Sequence, residues 1–212
     1  MEEFTAATYF FDYEHPEIQE FLQPYKALTP KAQLQQLYLR IRDGWRYNPF
    51  KIGITKDHYQ ASTILSNAEG HCIDKAIVLI TCYRALAIPA RLRLAKVSNH
   101  IATEHLERIL GTNELAPHGV VEVFYSGKWV KCVPAFNREL CAKYQVDVLD
   151  FDGSEDAVIQ EYNRNNEQFM SYLEDYGSYQ DVPFERMMDI FRANYPEIYE
   201  KNQGNTEVNF FL

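Results

Sequence analysis

Apolar residues recur at helical spacing from Thr29 onward. In TPKAQLQQLYLRIRDGW, Leu34, Leu37, Tyr38, Ile41 and Trp45 share one face, Thr29 stands where an N-cap hydroxyl is favoured, and Pro30 takes the first helical position. The spacing predicts an amphipathic helix, which YNPFKIG ends because Asn48, Pro49 and Gly53 favour turns. A second stripe begins beside Cys72: Ile73, Ala76, Ile77, Leu79, Ile80 and Tyr83 keep the 3.6-residue period until Pro89 forbids continuation. RLRLAKV then predicts a strand, and ATEHLERIL a short helix over 102–110 closed by Gly111. HGVVEVFYSGKWVKCVP divides at Ser126 and Gly127 into two β-rich runs, the pattern of an antiparallel hairpin. From Ser154 the tail predicts two more helices, the second with Pro183 near its start, Phe184, Met187, Ile190 and Phe191 facing inward, and Pro196 at its end. Helices, then sheet, then helices predict an α+β fold.

Length and charge narrow the function classes. The chain has 212 residues, enough for a substantial core without disulfides or metals, and no repeat or low-complexity linker divides it. One domain over residues 1–212 is therefore expected, with a core over about 30–137 and a helical extension over about 150–200. The net charge of -9 and the absence of clustered Lys and Arg argue against nucleic acid and against a membrane surface as partners. The N-terminus MEEFTAATYFFDYEHP has no basic region leading into an apolar run, and no apolar stretch elsewhere is long enough to span a bilayer, so a soluble cytoplasmic protein is expected. Cys72, Cys82, Cys132 and Cys141 form no CxxC pair and no zinc-like spacing with histidine, so free thiols are expected, with neither metal nor cofactor.

One of those thiols stands at a chemically special place. In NAEGHCIDKA, Cys72 opens the second helix, where unpaired backbone N–H groups and the helix dipole favour a thiolate. Gly70 allows close approach of a substrate, and the Cys72 N–H is a candidate oxyanion donor. On position alone Cys72 reads equally as a nucleophile or as a small buried hydrophobe, whereas Cys82, in the middle of LITCYRAL, reads as core. His118, which begins a strand after Pro117, is the candidate base. His71 reads as a wall of the cleft, His100 as structural or exposed, and His105 as a helix-surface residue. Trp45 reads either as core or as an aromatic that closes the cleft.

The ordered blocks GHCIDKA, RALAIPAR and HGVVEVFYSGKW resemble the transglutaminase-like superfamily of papain-like cysteine enzymes, in particular its short, stand-alone bacterial members. The resemblance implies a nucleophile helix packed on an antiparallel sheet, with Cys72 as nucleophile and His118 as base on the first strand of the hairpin. It further implies acyl transfer through a thioester on a peptide, a protein or a small amide. Two positions depart from the family pattern. Ala87 replaces a usual glycine, and Val133 stands four residues after Trp129, where the family commonly carries the aspartate that orients the histidine. Asn137 is the first candidate to take over that orienting role and Asp152 the second, with Trp45, His71 and Asp152 also candidates to contact substrate. A cysteine hydrolase of protease or amidase type is the expected function; the alternatives are transglutaminase-type acyl transfer and a binding module that kept the fold without the chemistry.

Overall fold

The computed structural model describes residues 1–101 and 103–210, and leaves the side chains of 103 and 105 undescribed, so His105 lies outside the described residues. Eight α-helices and six strands follow one another among the described residues. The first half comprises α1 (Pro16–Leu22), α2 (Pro30–Gly44), β1 (Arg46–Tyr47), α3 (Ala61–Leu65), β2 (Glu69–Gly70) and α4 (Cys72–Ala85). The second comprises β3 (Ala90–Asn99), α5 (Thr103–Leu110), β4 (Glu114–Tyr125), β5 (Lys128–Cys132), α6 (Arg138–Tyr144), β6 (Met170–Tyr179), α7 (Phe184–Asn194) and α8 (Pro196–Lys201). No helix among the described residues is long and apolar enough to cross a membrane.

Local chemistry accounts for the elements that build the site. Helix α2 starts as its sequence predicts: the Thr29 hydroxyl accepts the Ala32 N–H, Pro30 follows, and Leu34, Leu37, Tyr38 and Ile41 are fully buried. Helix α4 is more deeply placed than a one-sided stripe requires, since every residue from Cys72 to Arg84 is buried. The charged groups this submerges are all satisfied. The Lys75 ammonium donates to the Arg42, Trp45 and Ala135 carbonyls, and the Arg84 guanidinium donates to the Ala90, Ala6 and Gln180 carbonyls. Lys75 thereby pins the end of α2 and the chain beyond β5 to the second turn of α4.

Four strands form one antiparallel sheet in the order β5, β4, β3, β6. The hairpin between β4 and β5 turns at Ser126 and Gly127, both at positive φ as a tight two-residue hairpin turn requires. Residues Leu92, Leu94, Gly119, Val121 and Val123 share the face toward α4. Ala95, His118, Val120 and Glu122 alternate onto the opposite face. Register shifts between Ala95 and Val97, across from Ala116 and Pro117, because proline has no N–H for the ladder; His118 is the first residue after this irregularity.

The tail differs from its sequence reading. The helix expected just after Ser154 does not form: residues 154–169 run irregularly and 170–179 become β6, the edge strand beside β3. Its side chains alternate poorly between apolar and polar, with Tyr172 and Leu173 exposed, and what holds it is backbone pairing with β3 rather than a buried face. The extension over 150–200 is thus part sheet. The second tail helix is α7, with Met187, Ile190 and Phe191 buried as expected; it ends just before Pro196 as expected, and Pro196 then opens a further short helix, α8. The short helix α6 was not anticipated. All four cysteines are free thiols.

Candidate active site

The site forms where the start of α4 meets β4. Gly119 makes the approach possible: a Cβ there would stand 2.9 Å from the Ile73 Cα, so only glycine lets the strand come this close to the helix. Cys72 is buried at that contact. Burial pushes its thiol up to about 12, even though the N–H groups of Gly119, Ile73 and Cys72 itself favour the thiolate. The lowering expected from the helix start is real, and desolvation outweighs it.

His118, next to Gly119, is 3 % exposed, and its Nδ1 is buried without a hydrogen-bond partner. Burial, helped by nearby His71, drives its imidazole down to about 4. At neutral pH the candidate nucleophile and base are therefore both uncharged, a thiol and an imidazole rather than an ion pair.

The carboxylate of this region belongs to different histidines. Asp74, in the first turn of α4, accepts the His71 N–H at 3.1 Å; its two oxygens lie 2.8 Å from His71 Nδ1 and 3.2 Å from His58 Nε2. Burial alone would raise the Asp74 carboxyl, but His71 and His58 hold it well below the usual carboxylate range. His58 Nδ1 in turn faces Glu207 at 3.4 Å, extending the chain of contacts to the C-terminal segment.

The other residues singled out from sequence fall in distinct places. His71 caps α4 against Asp74, as a wall beside Cys72. Trp45 is buried with its ring 5.9 Å from that of Phe21, on the core side of α2. Asn137 sits at the start of α6, where its Oδ1 accepts the Tyr47 N–H at 3.3 Å and its Nδ2 donates to Glu139, so neither end of the amide is bonded to His118. Asp152 lies in a surface turn, bonded to the Ser154 N–H at 2.9 Å and paired with Lys31 at 3.1 Å, and it too leaves His118 alone. Val133 is buried beside His118, on a small cavity that Gln160 also lines. A larger hollow of about 330 Å³ opens beyond Phe136, bounded by Tyr47, Phe50, Asn99 and Lys143.

Sequence reasoning missed Asp74, Gly119 and Gln160. A signal existed for two of them: His71 followed three residues later by Asp74 is a capping-box spacing, and a glycine inside a β-rich run marks close backbone approach. Gln160 sits in irregular chain with no periodicity to place it.

A helix bearing a cysteine at its first position, laid on an antiparallel sheet whose first hairpin strand carries a histidine, defines a papain-like cysteine-enzyme architecture. The sequence profile of the transglutaminase-like superfamily matches residues 19–134, more than half of the chain, and the chain belongs to that superfamily. No curated protein matches it in sequence. Among solved structures, a candidate cysteine protease from Cytophaga hutchinsonii superimposes with a TM-score of 0.50 at 15% identity, over 87% of this chain and 48% of that one. That likeness is one of fold, and this chain spans about half the length of that structure.

Proposed function

We propose that the protein is a cysteine acyl-transfer enzyme that hydrolyses an amide or ester through a thioester on Cys72. The observation that carries this reading is the Gly119 contact, which lays the strand of His118 directly on the start of the Cys72 helix. In the first half-reaction the Cys72 sulfur bonds to the substrate carbonyl carbon while His118 takes the thiol proton. Because both groups start neutral, proton transfer accompanies attack instead of preceding it. N–H groups at the α4 terminus hold the resulting oxyanion. Collapse expels the amine or alcohol, which leaves with the proton from His118. Water then attacks the thioester and gives a proton to His118; collapse of the intermediate releases the carboxylic acid, and His118 returns that proton to the departing Cys72 sulfur. The hollow bounded by Tyr47, Phe136 and Lys143 is the natural seat for the acyl group.

Hydrolysis is favoured over cross-linking by the resemblance to short bacterial members of the superfamily. Val133 at the usual acid position supports a second reading, a module that binds without catalysis. One experiment separates them. Incubation with activated acyl esters and peptide amides, followed by mass spectrometry, is expected to trap an acyl adduct on the peptide containing Cys72, with turnover falling to background in Cys72→Ala. A parent protein that forms no adduct and turns over no better than Cys72→Ala is the result that selects the binding module.

A further inference from the structure

His118 Nδ1 is a buried polar atom with no partner, a condition that native proteins seldom leave unanswered. Beside the imidazole lies a small cavity of about 10 Å³, the room one water needs. Its walls include Val133, Phe136, Leu149, Val158 and Met170, and only His118 and Gln160 bring polar side-chain groups to it. Gln160 is itself buried, and its amide orientation is fixed: Nε2 donates to the Asp147 carbonyl at 3.0 Å and points at Cys141 Sγ at 3.7 Å. That leaves Oε1 as the amide's acceptor for a water in the cavity that Gln160 lines.

We propose that Gln160 is the positioning residue of His118. A single water in the cavity accepts the imidazole N–H and donates to Gln160 Oε1, which fixes the tautomer and the plane of the ring without supplying a charge. This rests on the reading of His118 as the base for Cys72. A neutral anchor is consistent with the low basicity of the imidazole, which burial and nearby His71 both lower; beyond Gln160 the titratable group is Cys141. The arrangement also explains how Val133 is tolerated: the polar contact reaches the ring from the chain after α6 rather than from the end of β5.

The test reads the ring directly, so that it stands even where activity is absent. Histidine side-chain nitrogen NMR at neutral pH, with His118 assigned through His118→Gln, is expected to find one neutral tautomer in the parent and an exchanging mixture in Gln160→Met, which keeps the volume and removes both amide ends. Gln160→Glu is expected to restore a single tautomer and to raise the pH at which His118 titrates. In the acylation assay Gln160→Met should lower kcat by about tenfold to a hundredfold with KM unchanged, and Gln160→Glu should recover most of it. Identical His118 spectra in the parent and Gln160→Met, with both variants melting at the parent temperature, overturn the proposal. If the spectra change as expected but the parent never acylates Cys72, the positioning role holds and the enzymatic reading fails.

Discussion

Two histidines flank the start of α4, and the protein treats them in opposite ways. His71 lies against a buried carboxylate: Asp74 stands 2.8 Å from its ring Nδ1, accepts its backbone N–H and also reaches His58. His118 has the same burial and no carboxylate, only an apolar wall with one amide on it. The comparison teaches that the charge in this site stabilises the helix terminus, where an acid in the first turn suits the helix dipole, while the candidate base is kept neutral. Electrostatic investment lies on the helix side, and the sheet side relies on shape.

The largest effect expected from breaking this contrast is in Asp74→Asn. The carboxylate is 1 % exposed, and its loss leaves two buried histidine rings and a helix N-terminus without their anion. Removing one partner of a buried charged cluster commonly costs about 3–5 kcal/mol, and urea unfolding should register a loss of that size. A loss below about 1 kcal/mol would show that the cluster is neutral in net effect.

A second measurement sharpens the contrast through pH. His118 titrates near 4 in the fold, below the ordinary 6.5, so between those values the unfolded chain takes up a proton that the native state refuses. Stability therefore falls as pH drops from about 6.5 to about 4, by up to about 3 kcal/mol, and no such loss occurs above that window. Asp74 behaves in the reverse sense: its depressed carboxyl contributes stability at all pH above the ordinary carboxylate value and loses it only further into acid. Urea melts of the parent and His118→Gln at pH 7, 5.5 and 4.5 should converge as the pH falls, and a constant gap between them would remove the buried-neutral description of His118.

How much of this was legible beforehand follows the same division. Helices α2 and α4 and the β4–β5 hairpin were readable because cap, period and turn residues act locally: Thr29 and Pro30, the stripe from Ile73 to Tyr83, Ser126 with Gly127. The order of three motif blocks offered Cys72 and His118 as a pair, and the close approach at Gly119 lays the strand of one against the helix of the other. Strand β6 was not, because an edge strand with exposed Tyr172 and Leu173 carries no alternation and is specified by its neighbour β3. The surroundings of His118 were equally hidden. Gln160 and Val133 come from separate segments, and only the folded chain places both on one cavity.

The smallest effect is expected at Asn137, the residue the sequence offered first as the orienting group. Its amide is already committed: Oδ1 accepts the Tyr47 N–H, and Nδ2 donates to Glu139 at the start of α6. Those bonds tie the chain after β5 to the chain after α2, next to the point where Lys75 holds the Trp45 and Ala135 carbonyls. Asn137→Ala should therefore act as a structural deletion, costing about 1 kcal/mol through the lost bonds and leaving the tautomer of His118 and the kcat of acyl transfer within about twofold of the parent. Gln160→Met is expected to give the opposite pattern, a changed ring and a lowered kcat. Should Asn137→Ala instead reduce kcat by about tenfold or more at unchanged KM, with the His118 tautomer disturbed, the orienting contact would lie on the α6 side of the ring and the Gln160 assignment would have to be given up.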